Sequence, residues 1–171
     1  MYLIDVPQIG ENAAAALSQY VQRGGGLAWF LGAEVDRDAY NRTLLAQDRF
    51  LLPAPLLRPI ELEQASDATS DVKFGESSTL LAPLRAAGDV AFALVGVSDS
   101  WDLETPAINQ EPDPERPRVR RVLERHDGKP LVTQHEVGQG RVISVLTGLD
   151  GRWTIWPGDP TFVVFLLQSN A

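Results

Sequence analysis

Apolar and polar positions change their period twice within the first 32 residues. Tyr2 to Val6 is a short apolar run that Pro7 ends, which is typical of a buried strand. Apolar residues then recur at spacings of three and four within Glu11 to Arg23, which predicts an amphipathic helix. Leu27 to Leu31 is almost wholly apolar, as expected for a strand covered on both faces of a parallel sheet. Together these segments predict a right-handed βαβ unit.

Three consecutive glycines, Gly24 to Gly26, separate this predicted helix from the second strand. A phosphate-binding loop has its glycines after a strand and before a helix, so that the helix N-terminus faces the anion. Here the glycines follow the helix, where their amides face the negative end of the helix dipole. We therefore interpret them as helix termination, with Gly24 as the left-handed residue that closes the helix.

The middle of the chain has a weaker pattern, with short predicted elements between prolines and polar stretches. We predict a helix from about Asp36, capped by Asp36 or Asp38, and a short helix over Leu80 to Ala86. We predict an extended, edge-like stretch over Phe50 to Glu63, with a strand at Ile60 to Leu62, and a further strand over Val90 to Val97. The predicted loops are a surface loop over Gln64 to Thr79 and a long loop over Ser98 to Pro117.

The last third of the chain predicts a meander of three antiparallel strands followed by a helix. The dipeptide Asp127-Gly128 is a strong hairpin signal, and "EVGQGR" predicts a second tight turn. The predicted strands are Val119 to Arg125, Pro130 to Val137 and Val142 to Thr147. Asp159 is the predicted N-cap of the final helix, with Pro160 in its first turn and an apolar body from Phe162 to Leu167.

Composition narrows the class of protein. The chain has 171 residues, enough for a single domain spanning 1–171, and its net charge of −8 argues against nucleic acid or an anionic membrane surface as a partner. It contains no cysteine, so it has neither a disulfide nor a thiolate nucleophile. Met1 directly precedes a strand without a positively charged leader, and we expect a segment excised from a larger protein, with Met added.

Motifs for metal or cofactor chemistry are not found in the sequence. The chain has two histidines, neither with a second ligand at metal spacing, so we predict no metal site and no cofactor. His126 is interpreted as a solvated turn residue, which leaves His135 as the one plausible base. No G-x-S-x-G elbow is present for a serine nucleophile.

Charged residues cluster in the predicted loops. The five arginines between Arg116 and Arg125 are interpreted as pairing with nearby acids rather than binding nucleic acid. The loop acids do not form an EF-hand ladder of oxygen ligands, so we interpret them as solvated, with an adventitious calcium site as the alternative. These loop acids are Asp67, Asp71, Asp99, Asp102 and Glu104.

Two tryptophans lie three residues apart in "GLDGRWTIWPGDPTF". Trp153 and Trp156, with Asp150 and Arg152, are of the types that stack on and bind a sugar. They are equally suited to plugging the end of the sheet and fixing the last helix, and we favour this packing role.

Two stretches together resemble the class I glutamine amidotransferase-like superfamily. "IDVPQIGENAAAALSQYVQRGGGLAWFLG" resembles its strand, helix, GGG and strand segment, including that of trehalose-utilisation-type relatives. "GQGRVISVLTGLDGRWTIWPGDPTFVVFLLQ" resembles the closing segment of such domains in large bacterial membrane proteins of the BatA group, which often carry a von Willebrand factor A domain. The resemblance implies a flavodoxin-like α/β fold: a mostly parallel sheet flanked by helices, here with an antiparallel C-terminal extension.

The same resemblance implies a loss of catalysis. The family's nucleophilic cysteine follows the strand after GGG, where this chain has Gly32, Ala33 and Glu34. The family's His and Glu are separated by one residue, whereas His135 and Glu136 are adjacent. A thioester mechanism requires a thiolate, so we predict no catalytic residues and no enzyme activity.

We therefore expect an interaction or structural domain of a membrane-anchored bacterial protein. Its partners would be another protein or other domains of the same chain, it would lie outside the cytoplasm, and its contact with the membrane would come only through other parts of the parent chain. The alternative is a ligand-binding domain, for a sugar or metal, or a hydrolytic domain, using the carboxyl edge of the sheet. The candidate residues there are Asp5, Gly32, Glu34, Asp150 and Trp153.

Overall fold

Two β-sheets and four α-helices build the fold in a computed structural model that describes residues 1–63, 70–75, 79–104 and 117–170. The helices are α1 (Glu11–Gln22), α2 (Arg37–Leu44), α3 (Ala82–Arg85) and α4 (Pro160–Asn170). The strands are β1 (Tyr2–Ile4), β2 (Gly26–Phe30), β3 (Leu56–Glu61), β4 (Val72–Phe74), β5 (Asp99–Leu103), β6 (Arg120–Arg125), β7 (Pro130–Val137) and β8 (Gly140–Val145). The predicted α/β class is confirmed.

The larger sheet is mixed in direction. Its strand order is β1-β2-β8-β7-β6-β4, in which β1, β2 and β8 are parallel neighbours and the remaining pairs are antiparallel. The second sheet is the antiparallel pair β3-β5. The larger sheet was predicted to be mostly parallel. It has more antiparallel pairs than predicted, because the three-strand meander contributes half of its strands.

The predicted βαβ unit is present at the N-terminus. Strand β2 lies between β1 and β8, and Leu27 to Leu31 is buried throughout. Helix α1 ends before Gly24, whose φ of 102° is left-handed, as predicted for the residue that closes a helix.

The two faces of β2 build two separate hydrophobic cores. Leu27, Trp29 and Leu31 point to one face, where α1, α2 and the β3-β5 sheet pack. Ala28 and Phe30 point to the other face, where α4 packs. This alternation follows from the period of two along a strand, and burial on both faces explains the continuous apolar run.

The predicted N-caps of α2 and α4 are confirmed. The Asp36 side chain accepts a hydrogen bond from the Ala39 amide at 3.0 Å, so Asp36 rather than Asp38 is the cap of α2. At α4, the Asp159 carboxylate accepts from the Thr161 amide at 2.9 Å.

The middle of the chain requires three corrections. Val90 to Val97 is not a strand: Gly88–Phe92 forms a 3-10 helix, and Val90 and Leu94 are largely exposed. Strand β4 lies within the predicted loop 64–79, and strand β5 lies within the predicted loop 98–117. The parts of those two loops at 64–69, 76–78 and 105–116 lie outside the described residues.

Candidate functional site

Three loops meet at the carboxyl edge of the parallel strands. Asp5 directly follows β1, and Gly32 and Glu34 follow β2. Asp150 and Trp153 follow β8. Because β1, β2 and β8 are parallel neighbours, their carboxyl ends share one edge of the sheet. The structure therefore brings the five predicted candidate residues to the same edge.

Asp5 connects the first two of these loops. Its Oδ1 accepts a hydrogen bond from the Glu34 backbone amide at 3.0 Å. Its φ of 46° is left-handed, a conformation that Asp tolerates better than most residues. A Cβ placed on Gly32 would lie 2.5 Å from the Cγ of Asp5. The Asp5 carboxyl group thus occupies the space that a side chain at position 32 would need.

Asp150 and Arg152 form a second connection within the loop that follows β8. The Arg152 amide donates to Asp150 Oδ1 at 3.0 Å, and the Arg152 guanidinium donates to Asp150 Oδ2. The hydrogen bond from the Arg152 amide, followed by that from its guanidinium, lowers the pKa of Asp150. The pKa of Arg152 is raised, first by its hydrogen bond to Asp150 and also by the charges of Glu34 and Asp5. This guanidinium therefore interacts electrostatically with a carboxylate in each of the three loops.

Two tryptophans lie beside this carboxylate and guanidinium cluster. The ring of Trp153 is half-buried, and its centroid lies 6.4 Å from that of the buried Trp101. Trp101 Nε1 donates to the Gly32 carbonyl at 3.0 Å, which fixes the loop after β2 from the side of the second sheet. Sequence reasoning missed Trp101, although a tryptophan within the alternating stretch "SDSWDL" was a signal for a half-buried strand.

Trp156 belongs to the core rather than to the carboxyl edge. Its side chain is buried, and its Nε1 donates to Thr161 Oγ1 at 3.0 Å. Its ring centroid lies 5.2 Å from that of Phe162 and 5.0 Å from that of Phe165, so it fixes the start of α4. Of the two tryptophans for which we favoured a packing role, Trp156 is buried in the core as expected, whereas the ring of Trp153 is partly accessible to solvent.

His135 lies in the middle of the fold, away from the candidate residues. It is on β7 with 1% of its surface exposed, and its Nε2 lies 2.6 Å from the Phe50 carbonyl oxygen. Burial disfavours the charged imidazole and lowers its pKa to about 4. The prediction of a base at this position is therefore not supported by the geometry. His126 lies in the β6-β7 turn and is half-buried.

Several of the charged residues in this part of the chain form ion pairs or hydrogen bonds. The guanidinium of buried Arg125 has N···O distances of 2.5 Å to Asp127 and 3.3 Å to Asp102, and that of Arg121 lies 3.2 Å from Glu124. For these two arginines the structure supports the interpretation that they pair with acids. Asp71 accepts from the Val97 amide at 3.2 Å. Within the described ranges, no group of three or more potential metal ligands is close enough to hold an ion. Asp67 and Arg116 lie outside the described residues.

A pocket of about 490 Å³ lies at the opposite, amino edge of the sheet. Its polar lining includes Tyr20, Gln134, Glu136, Gln139 and Arg141. This pocket is separate from the five predicted candidate residues, none of which lines it. Among the described helices, none has the length and apolar character needed to cross a bilayer.

No family model and no curated protein matches the chain. The fold is similar to that of solved structures, among them two from Salmonella typhimurium. Cytoplasmic Protein STM3548 from Salmonella typhimurium has a TM-score of 0.59 and 13% identity, over 95% of this chain and 60% of that one. Cytoplasmic Protein STM1381 from Salmonella typhimurium LT2 has a TM-score of 0.56 and 16% identity, over 99% of this chain and 66% of that one. The chain thus spans about two thirds or less of their length.

A third, weaker likeness is to the exo-beta-1,4-mannosidase Op5Man5 from Opitutaceae bacterium strain TAV5. Its TM-score is 0.48 and its identity 17%, over 99% of this chain and 24% of that one. For the two Salmonella proteins, with identities of 13% and 16%, the similarity concerns the fold alone.

Proposed function

We propose that this chain is a non-catalytic, amidotransferase-like domain of flavodoxin-like topology. It serves as an interaction or structural module of a larger, membrane-anchored bacterial protein, outside the cytoplasm. Its partners are other domains of that protein or a second protein.

One observation carries the loss of catalysis. The turn after β2, where the resembling family has its nucleophilic cysteine, holds Gly32 and Glu34, and the Asp5 carboxyl group fills the adjacent space. A thiol side chain at position 32 would collide with that carboxyl group. The chain also contains no cysteine, so it has no thiolate for a thioester.

The position of His135 supports the same proposal. A general base must reach the proton that it removes, and His135 is buried against Phe50 instead of facing the carboxyl edge. Its lowered pKa of about 4 keeps the ring neutral, but its burial denies it contact with a substrate.

A glutaminase assay tests this proposal. We expect purified protein to release no ammonia from glutamine above a blank without protein, with an active class I amidotransferase as the positive control. Sustained ammonia release that the Glu34→Gln variant abolishes would contradict the proposal, because it would assign chemistry to the loop after β2. Sustained release by pure protein that Glu34→Gln leaves unchanged would contradict the proposal as well, because it would place the chemistry elsewhere in the chain.

A second candidate function is the binding of a sugar at the carboxyl edge. The observation that favours it is the half-buried Trp153 ring in the same loop as Asp150 and Arg152, since an aromatic face beside polar groups suits a polyhydroxylated ligand. Thermal-shift screening against a panel of sugars tests it. Stabilisation that disappears in Trp153→Ala and persists in Ile155→Ala, an exposed neighbour, is the expected result for such a site.

A further inference from the structure

Three buried side chains on β7 and β8 carry a polar atom that forms no hydrogen bond with any of the described residues. The atoms are Thr133 Oγ1, His135 Nδ1 and Ser144 Oγ. Thr133 and Ser144 expose none of their surface, and His135 exposes 1%. Because a buried polar atom without a hydrogen bond destabilises the folded state, each such atom in a native core needs an explanation.

The strand register brings the three side chains together. In the regular antiparallel ladder of β7 and β8, Thr133 is paired with Ser144, and His135 with Val142. Residues two apart on a strand point to the same face, and directly opposite residues have Cβ atoms about 4.5–5.5 Å apart. The three polar side chains therefore share the face of Val142, which belongs to the core beneath α1, α2 and the β3-β5 sheet.

The hydrogen bond at Nε2 defines what His135 needs at its other ring nitrogen. The Phe50 carbonyl can only accept a hydrogen bond, so Nε2 carries the ring proton. Burial lowers the pKa of His135 to about 4, so the ring is neutral at pH 7 and Nδ1 presents a lone pair. Nδ1 therefore needs a donor, whereas the hydroxyls of Thr133 and Ser144 can each donate or accept.

The surroundings restrict the chemistry of an occupant of this site. The neighbours of Ser144 on this face are Val142 and Trp29, and the Trp29 indole N–H already donates to the Leu51 carbonyl. A cation among a neutral imidazole and two hydroxyls would have no compensating charge in this core. Water is small and uncharged, and it both donates and accepts. Two of its hydrogen bonds, each about 2.8 Å long, reach across side chains that stand about 4.5–5.5 Å apart.

We propose that β7 and β8 bind one internal water molecule. The water donates a hydrogen bond to Nδ1 of His135 and bonds to the hydroxyls of Thr133 and Ser144. It thereby extends a chain of hydrogen bonds from the two strands through the imidazole to the Phe50 carbonyl, in which each bond polarises the next.

The segment that covers His135 is one that needs such support. Gln47, Asp48 and Phe50 have φ values of 54°, 53° and 48°, a left-handed conformation that residues other than glycine adopt at a cost. The imidazole holds this segment through the Phe50 carbonyl, and the water would fix the orientation of the imidazole.

A high-resolution crystal structure of the wild type tests the proposal directly. We expect an ordered oxygen within about 3.2 Å of His135 Nδ1 and of at least one of the two hydroxyls. Density without this oxygen would overturn the proposal, and so would a direct hydrogen bond between a hydroxyl and Nδ1 in its place. A peak with the height and coordination of a metal ion would overturn it too.

Urea denaturation of two variants gives an independent test. Thr133→Val and Ser144→Ala each remove a hydroxyl that bonds to the water, and each is expected to raise the unfolding equilibrium constant roughly three- to tenfold. Thr147→Val is the matched control, because this buried hydroxyl donates to the Asp99 carbonyl at 2.9 Å and gives the cost of losing a bonded hydroxyl. If Thr147→Val is destabilised and neither of the other two is, the hydroxyls have no bound partner and the proposal is overturned.

Discussion

The carboxyl group of Asp5 accepts a hydrogen bond from the backbone amide of Glu34, with 3.0 Å between Oδ1 and N. This bond joins the end of β1 to the loop that follows β2, across the edge where parallel strands present their carboxyl ends. The same carboxyl group occupies the space that a side chain at position 32 would need.

Replacing Asp5 tests that connection. Asp5→Ala removes the acceptor and puts a residue with no left-handed preference at a φ of 46°. We expect the free energy of unfolding to fall by about 1–3 kcal/mol in urea denaturation, as for the loss of a hydrogen bond to a charged group. Asp5→Asn keeps an acceptor and tolerates the same φ, so its loss is expected to be below about 1 kcal/mol. Equal losses in the two variants would show that the hydrogen bond contributes little.

The close approach of Gly32 and Asp5 predicts an energetic coupling. In Gly32→Ala the new Cβ meets the Asp5 carboxyl group, and we expect a loss of about 1–3 kcal/mol from overpacking. In an Asp5→Ala background the obstacle is absent, so the same substitution is expected to cost at least about 0.5 kcal/mol less. Gly10→Ala is the control, because a Cβ there meets nothing within 4 Å. Strictly additive losses would contradict the collision.

The two tryptophans differ in burial and therefore in their expected effect on stability. Trp156→Ala empties a buried site between Phe162 and Phe165, and we expect it to cost about 3–5 kcal/mol. Trp153→Ala, at a half-buried ring, is expected to cost clearly less. Ile155→Ala, between them and 59% exposed, is expected to stay within about 0.5 kcal/mol. Chemical denaturation of the three variants gives the order, and a stable Trp156→Ala would rule out the packing role.

Buried His135 predicts a loss of stability in acid. Its pKa is about 4 in the folded chain, against 6.5 for a free histidine, so between these values the unfolded chain binds a proton that the folded chain does not. The stabilisation is complete above pH 6.5 and is lost as the pH falls towards 4, by roughly 3 kcal/mol in all. Urea denaturation at several pH values measures this slope. His135→Gln is expected to flatten it, and a slope in His135→Gln equal to that of the wild type would contradict the assignment.

Elements that depend on local pattern were predictable from the sequence. The βαβ unit, the Asp127-Gly128 hairpin and the Asp159 cap each follow from a period or a capping residue within a few positions. Strand β5 was missed although "SDSWDL" alternates, because its pairing with β3, about 40 positions earlier, is a tertiary property that the local pattern does not reveal. Conversely, Val90 to Val97 has the apolar content of a strand, but among the described residues only Val97 pairs in this way, in an isolated antiparallel bridge with Thr154.

In the candidate site, too, some features follow from the local sequence pattern and others only from tertiary contacts. Asp5, Gly32 and Glu34 were predictable as an edge cluster, because carboxyl ends of parallel strands meet wherever the strands are neighbours. The place of Trp101 in this cluster was not predictable. Its hydrogen bond to the Gly32 carbonyl joins the second sheet to the first, and no local sequence pattern indicates a contact between sheets. The burial of His135 is likewise a tertiary property, set by the segment around Phe50 that covers β7.

The pairing of β2 with β8 has a consequence for biosynthesis. Gly26 pairs with Arg141 and Phe30 with Val145, so the inner edge of β2 finds its partner only after about 115 further positions have been translated. Until then a ribosome-bound chain exposes an apolar strand with unpaired backbone groups, and closing so long a loop is slow. Chains truncated before β8 should therefore accumulate as aggregates or chaperone clients, whereas separately made N-terminal and C-terminal pieces should be able to complement each other by completing the sheet.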